Sequence, residues 1–167
     1  MLIKLNKKEY LVNENEFLPI HHASYTNLLL KQDLGEFERL IGLINVFCKI
    51  GFDNFIIYGA THGGFIPINL SQFYKKIFLL KTGTDQIHNI TENIKKHQIE
   101  NIFFSSINEG SDKSIIYSED LALVELNNKE HQIIITKTDT NLYDYAKYQF
   151  CNMFVYVSIT LKNLFEE

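Results

Sequence analysis

The stretch that most constrains this chain is Phe55-Ile56-Ile57-Tyr58 running straight into Gly59-Ala60-Thr61-His62-Gly63-Gly64. A continuous apolar run of strand length suits a parallel strand buried on both faces. A helix is expected from Phe65-Ile66, with Pro67 early, where its missing N–H costs little. Strand, glycine turn and helix together present backbone N–H groups and a helix N-terminus to a ligand. Glycines serve there because a Cβ would block close approach or forbid positive φ. The spacing G-x-x-x-G-G is neither the dinucleotide G-x-G-x-x-G nor a phosphate loop ending in Lys-Ser/Thr, which disfavours NAD and ATP. A tight structural turn would use the same glycines.

The flanking sequence repeats the alternation. Leu34, Phe37, Leu40, Ile41, Ile44, Phe47 and Cys48 form one apolar helical stripe, with Asp33 and Glu36 as a capping arrangement and Gly51 as its stop. Strands are expected at 77–80 and 101–105, with a short one at 114–117; 133–135 reads as the fourth core strand and 153–159 as the fifth. A helix over 84–98 is expected to bury Ile87, Ile90 and Ile94, and a short one is expected over 142–150. Residues 119–126 fit no period. Residues 2–5 and 9–12 read as a hairpin, and 13–32 as irregular, with Pro19 and the pair His21-His22. This order predicts a mainly parallel α/β sheet, strand order 3-2-1-4-5 with 55–58 first and helices on both faces. Residues 1–32 are expected to be an N-terminal extension packed on one domain, 33–167.

Charge and cysteines narrow the function classes. The net charge is -4 and Arg39 is the sole arginine, so nucleic acid is a poor default partner. Cys48 and Cys151 sit in apolar runs without CxxC spacing and read as buried reduced thiols. No Asp, Glu or Cys set completes a metal site around His21-His22. No leader opens the chain and no apolar run reaches the roughly 18 residues of a membrane span, so a soluble cytoplasmic protein is expected. Glu109, Asp112, Glu119 and Asp120 form an acidic stretch that belongs either to the cleft at the strand ends or to a polar connection.

Three segments carry a family resemblance. Ile56 to Phe65 resembles the D-x-G-A-N-x-G signature of FkbM-type S-adenosylmethionine-dependent methyltransferases. Thr91 to Ile102 is similar to that family's L-x-x-N-I-x-x-N-x-x-x-N-V segment, and Lys137-Thr138-Asp139-Thr140-Asn141 falls where it has K-I-D-V-E-G. The resemblance implies a Rossmann-like methyltransferase fold and S-adenosylmethionine as cofactor. It implies a cofactor site at Tyr58, Gly59, Ala60, Thr61, Gly63, Gly64, Phe65, Lys81, Thr82 and Asn108. Asp139 and His62 are the candidate catalytic residues, and the acceptor would be an oxygen of a small or sugar-like molecule.

The chain departs from that pattern at four places. Tyr58 stands where an acidic residue precedes the first glycine. Lys81-Thr82 stands where an acidic residue should receive the ribose hydroxyls. Asn141 and Leu142 replace Glu and Gly, and the sixth and seventh strands of the usual sheet are expected to be missing. A carboxylate accepts two hydroxyl protons; an ammonium accepts none. Two readings follow: a small methyltransferase, or a methyltransferase-like fold kept for binding or as a scaffold. A sheet ending at Met153-Phe154-Val155-Tyr156-Val157 would expose an edge, which predicts self-association or a protein partner.

Overall fold

A computed structural model describes residues 2–5, 7–13, 16–18, 29–30, 34–49, 51–106, 113–125 and 132–166. Strands β1 (Leu2–Leu5) and β2 (Lys8–Leu11) form the expected antiparallel hairpin, and β3 (Phe17–Leu18) pairs with β4 (Leu29–Leu30). Helix α1 (Leu34–Cys48) follows, and Asp33, its expected cap, lies outside the described residues. Then come β5 (Asn54–Tyr58), α2 (Phe65–Leu70), β6 (Lys76–Leu80), α3 (Thr84–Lys96), β7 (Ile102–Ser105), β8 (Ser114–Tyr117) and β9 (Gln132–Thr136). The chain closes with β10 (Tyr145–Phe150), β11 (Met153–Ser158) and α4 (Ile159–Glu166).

The seven-stranded sheet runs β7-β6-β5-β8-β9-β11-β10. Strands β5 to β9 are mutually parallel, and β11 is antiparallel to both neighbours. Numbered from β5, the order is 3-2-1-4-5-7-6. The α/β class and the 3-2-1 half therefore stand as expected. The short strand at 114–117 is the fourth, between 54–58 and 132–136, and the fifth is 132–136.

The C-terminal part corrects the sequence reading. Residues 145–150 form a strand, so the sixth and seventh strands are present. Tyr145-Ala146-Lys147-Tyr148-Gln149-Phe150 alternates in a way a short helix can imitate. The pairing partner decides between them. Phe150 faces Met153 across a two-residue turn, and Cys151 takes the left-handed conformation there, φ 55°. Strand β11 lies inside the sheet and β10 forms the edge, which removes the premise for self-association through 153–157. Cys151 is exposed in this turn and Cys48 half-buried, so neither is the fully buried thiol expected.

Alternation along the strands separates two apolar layers. Phe55, Ile57, Ile77, Leu79, Ile115, Ile133 and Ile135 point to one face, where they meet Leu40 and Ile44 of α1, Phe65 and Ile68 of α2, Ile90 of α3 and Leu161 of α4. Ile56, Tyr58, Phe78, Ile116, Ile134 and Tyr156 point to the other, with Leu121, Val124 and Leu142 packed against them. Helices were expected on both faces. Among the described residues, every helix sends its buried apolar side chains into the first layer.

Candidate functional site

Parallel pairing of β5 with β6 and β8 brings Gly59, Lys81 and Ser118, the residues that follow those strands, to one edge of the sheet. Between β5 and β8 the strand order reverses, which is where open α/β sheets bind their ligands. A small cavity, of about 20 Å³, lies there, lined by Ile57, Tyr58, Gly59, Ala60, Thr61, His62, Ile66, Pro67, Tyr117 and Glu119.

The glycine loop divides into two halves with different jobs. Gly59 has φ +68° and donates its N–H to the Leu80 carbonyl at 2.9 Å. A Cβ on it would sit 3.2 Å from Leu123 Cδ1. Gly63, at φ +63°, turns away from the cavity: a Cβ there would meet the Leu11 carbonyl oxygen at 2.4 Å and Asn93 Nδ2 at 2.6 Å. Gly64 packs on Ile90, and Phe65 is a core residue edge-on to Tyr10 at 5.5 Å. Of the expected site residues, Tyr58, Gly59, Ala60, Thr61 and His62 line the cavity together, while Gly63, Gly64 and Phe65 hold the loop to the rest of the molecule.

A buried polar layer does that holding. Asn93 of α3, 1 % exposed, accepts the Leu11 N–H at 2.7 Å and donates to the Leu11 and Gly63 carbonyls at 2.9 and 2.8 Å. Asn89 donates to Asn13 Oδ1 at 2.7 Å, and Gln86 donates to Glu16 at 2.8 Å. Glu16 also accepts the His62 backbone N–H. Sequence reasoning missed this layer. It assigned Ile87, Ile90 and Ile94 to the buried face, yet Ile87 is 39 % exposed and the face holds Gln86, Asn89, Ile90 and Asn93. The available signal was three amides at helical spacing around Ile90.

Lys81, φ +50°, points its ammonium at the Leu123 carbonyl, 2.8 Å, with Glu125 at 3.5 Å and the Tyr58 ring centroid 5.8 Å away. It ties down the 3-10 turn Leu121–Leu123, which Asp120 caps by accepting the Ala122 N–H at 3.0 Å. Thr82 Oγ1 is buried without a hydrogen-bond partner among the described residues. Asp139 stands off the cavity lining and accepts a 2.7 Å bond from Lys147, a contact that raises the Lys147 pKa. Asn108, Glu109, Asp112 and the pair His21-His22 lie outside the described residues. Glu119 reaches the cavity rim, with Lys137 at 3.9 Å; Ile57, Ile66, Pro67 and Tyr117 are lining residues that the sequence did not single out. Among the described residues no cluster of His, Cys, Asp or Glu could hold a metal, and no helix is long and apolar enough to cross a membrane.

An adenosyl cofactor would find part of what it needs among these residues. Gly59 gives the close backbone approach, and Tyr58 and Tyr117 give aromatic walls. The two residues before Gly59, Ile57 and Tyr58, bring no carboxylate, and the end of β6 offers an ammonium where a ribose diol needs an acceptor. The ribose of S-adenosylmethionine therefore meets no carboxylate at either of these positions.

No protein-family profile matches the chain, and no curated protein matches it. Solved structures do resemble it. The Escherichia coli protein yhhF, provisionally described as a methyltransferase, is 10% identical with a TM-score of 0.57, over 94% of this chain and 96% of that one. The Pyrococcus abyssi tRNA (uracil-54, C5)-methyltransferase, in complex with S-adenosyl-L-homocysteine, is 12% identical with a TM-score of 0.57, over 95% of this chain and 43% of that one. MtNAS bound to S-adenosylmethionine is 10% identical with a TM-score of 0.52, over 74% of this chain and 61% of that one. The second of these overturns the exclusion of nucleic acid drawn from net charge. A whole-chain sum averages over faces, and a fold carried by an enzyme named for tRNA gives no ground for ruling that partner out. At such identities the likeness fixes one thing: this chain has the Rossmann-like methyltransferase fold.

Proposed function

We propose that this chain is a methyltransferase-like protein that takes its ligand in the cavity between β5 and β8, with S-adenosylmethionine bound weakly in the natural protein. The observation that carries the reading is the 3-2-1-4-5-7-6 sheet with a glycine turn and a cavity at its reversal point. Weak binding follows from Lys81. Its exposed ammonium offers the ribose hydroxyls no acceptor, which forgoes a charge-assisted hydrogen bond of about 1.5–3 kcal/mol, about one to two decades of affinity.

If methyl transfer survives, the acceptor we assign is an oxygen of a small or sugar-like molecule, on the strength of the three-segment resemblance. The RNA acceptor named for the Pyrococcus protein is the competing assignment. The non-catalytic reading is favoured by one observation: Lys81 pins Leu123 over Gly59, so a side chain of the protein itself covers part of the loop. Calorimetric titration with S-adenosylmethionine and S-adenosylhomocysteine, followed by transfer of labelled methyl to sugar and RNA acceptors, tests the proposal. Weak binding with transfer supports the enzyme; weak binding without transfer supports the binding protein. Tight binding by the natural chain contradicts the role given to Lys81.

A further inference from the structure

Glu16 comes from the N-terminal segment, far in sequence from the glycine loop, yet its carboxylate is buried against that loop, with the side chain 10 % exposed. It accepts the His62 backbone N–H and a 2.8 Å bond from Gln86 Nε2, and the Asn13 N–H lies at 3.4 Å. The same carboxylate stands 3.5 Å from His62 Nδ1, which is also 2.8 Å from Thr61 Oγ1. His62 holds φ +54°, a conformation that costs a non-glycine residue free energy and that persists where surrounding contacts impose it. Here Glu16 imposes it through the His62 N–H. His62 is one of the residues that line the cavity, and its Nε2 is buried there.

We propose that Glu16 and His62 form a proton-accepting pair at the cavity wall, His62 as the base and Glu16 as the residue that positions and charges it. The site suits a ligand with a hydroxyl or similar weakly acidic group. With Nδ1 turned to the Thr61 and Glu16 oxygens, the proton is taken at Nε2. The ligand's O–H bond breaks with its electron pair left on oxygen, an N–H bond forms, and the resulting imidazolium is balanced by the Glu16 carboxylate. This is the logic of a base oriented by a third group. The inference rests on a ligand entering the cavity and not on which ligand it is, so it stands apart from the fate of S-adenosylmethionine. Glu16 is the carboxylate beside the ring; Glu119, from the turn after β8, lines the same cavity with Lys137 at 3.9 Å from it.

Diethyl pyrocarbonate, which acylates neutral imidazole, is the probe. Its rate of reaction with His62 in the full chain is followed against pH by peptide mapping, beside an NMR titration of the same ring. Glu16→Gln keeps an acceptor at the same place but removes the charge. It is expected to lower the His62 midpoint by about one unit, a tenfold loss of proton affinity. Glu16→Asp retains the charge and is expected to restore the midpoint, while Gln86→Ala removes a bond to Glu16 without changing charge and should leave it in place. A purely structural Glu16 would move melting temperature and not the midpoint. Superimposable profiles for the natural chain and Glu16→Gln, or a ring that the folded protein never lets react, overturn the proposal.

Discussion

At the scale of single residues, the glycines carry the first test. Gly63 was expected to matter to a ligand; its surroundings make it matter to the fold. A side chain there would press on the Leu11 carbonyl and on Asn93 in a left-handed conformation. Gly63→Val should therefore cost several kcal/mol, about 3 or more, seen as a large fall in melting temperature; a variant that melts like the natural chain would show that loop and hairpin are not locked together. Asn93→Ala leaves the Leu11 and Gly63 backbone groups without their amide and should cost about 2–3 kcal/mol, measured by denaturant unfolding. A loss under about 0.5 kcal/mol would be the behaviour of an ordinary surface position. The glycine loop was legible because turn chemistry is local. Glu16, Gln86 and Asn93 were not, because their partners lie 46, 70 and 82 residues away and no local period records such pairings.

Among the elements, the buried strands β5, β6 and β9 were plain in sequence, since a run of apolar residues bounded by turns has few other uses. The hairpin of β10 and β11 was not, because β10 is a half-exposed edge strand whose mixed residues suit a helix as well. Lys147 and Asp139 offer a check on its outer strand. Their bond raises the Lys147 pKa, so the stabilisation is present below the ordinary lysine pKa and is lost as pH rises through the raised one. Asp139→Asn should lower the melting temperature slightly near pH 8, and the difference should vanish in strongly alkaline solution. A difference that persists there would assign Asp139 a role other than pairing with Lys147.

For the whole molecule, the α/β class followed from the alternation of strands and helices, while the partner class could not be read from net charge. Charge totals describe solubility and long-range fields; a binding face depends on where side chains fall. The position of the cavity was legible too, since the carboxyl edge at the reversal of strand order is set by topology. The proposed weak grip on the cofactor turns on Lys81, which stands at the end of β6 outside the cavity lining. Calorimetric titration of the natural chain and of Lys81→Glu with S-adenosylhomocysteine tests this most directly. Weak binding by the natural chain, tightened about tenfold or more in the variant, is the predicted result; tight binding by the natural chain, or weaker binding by the variant, would contradict it.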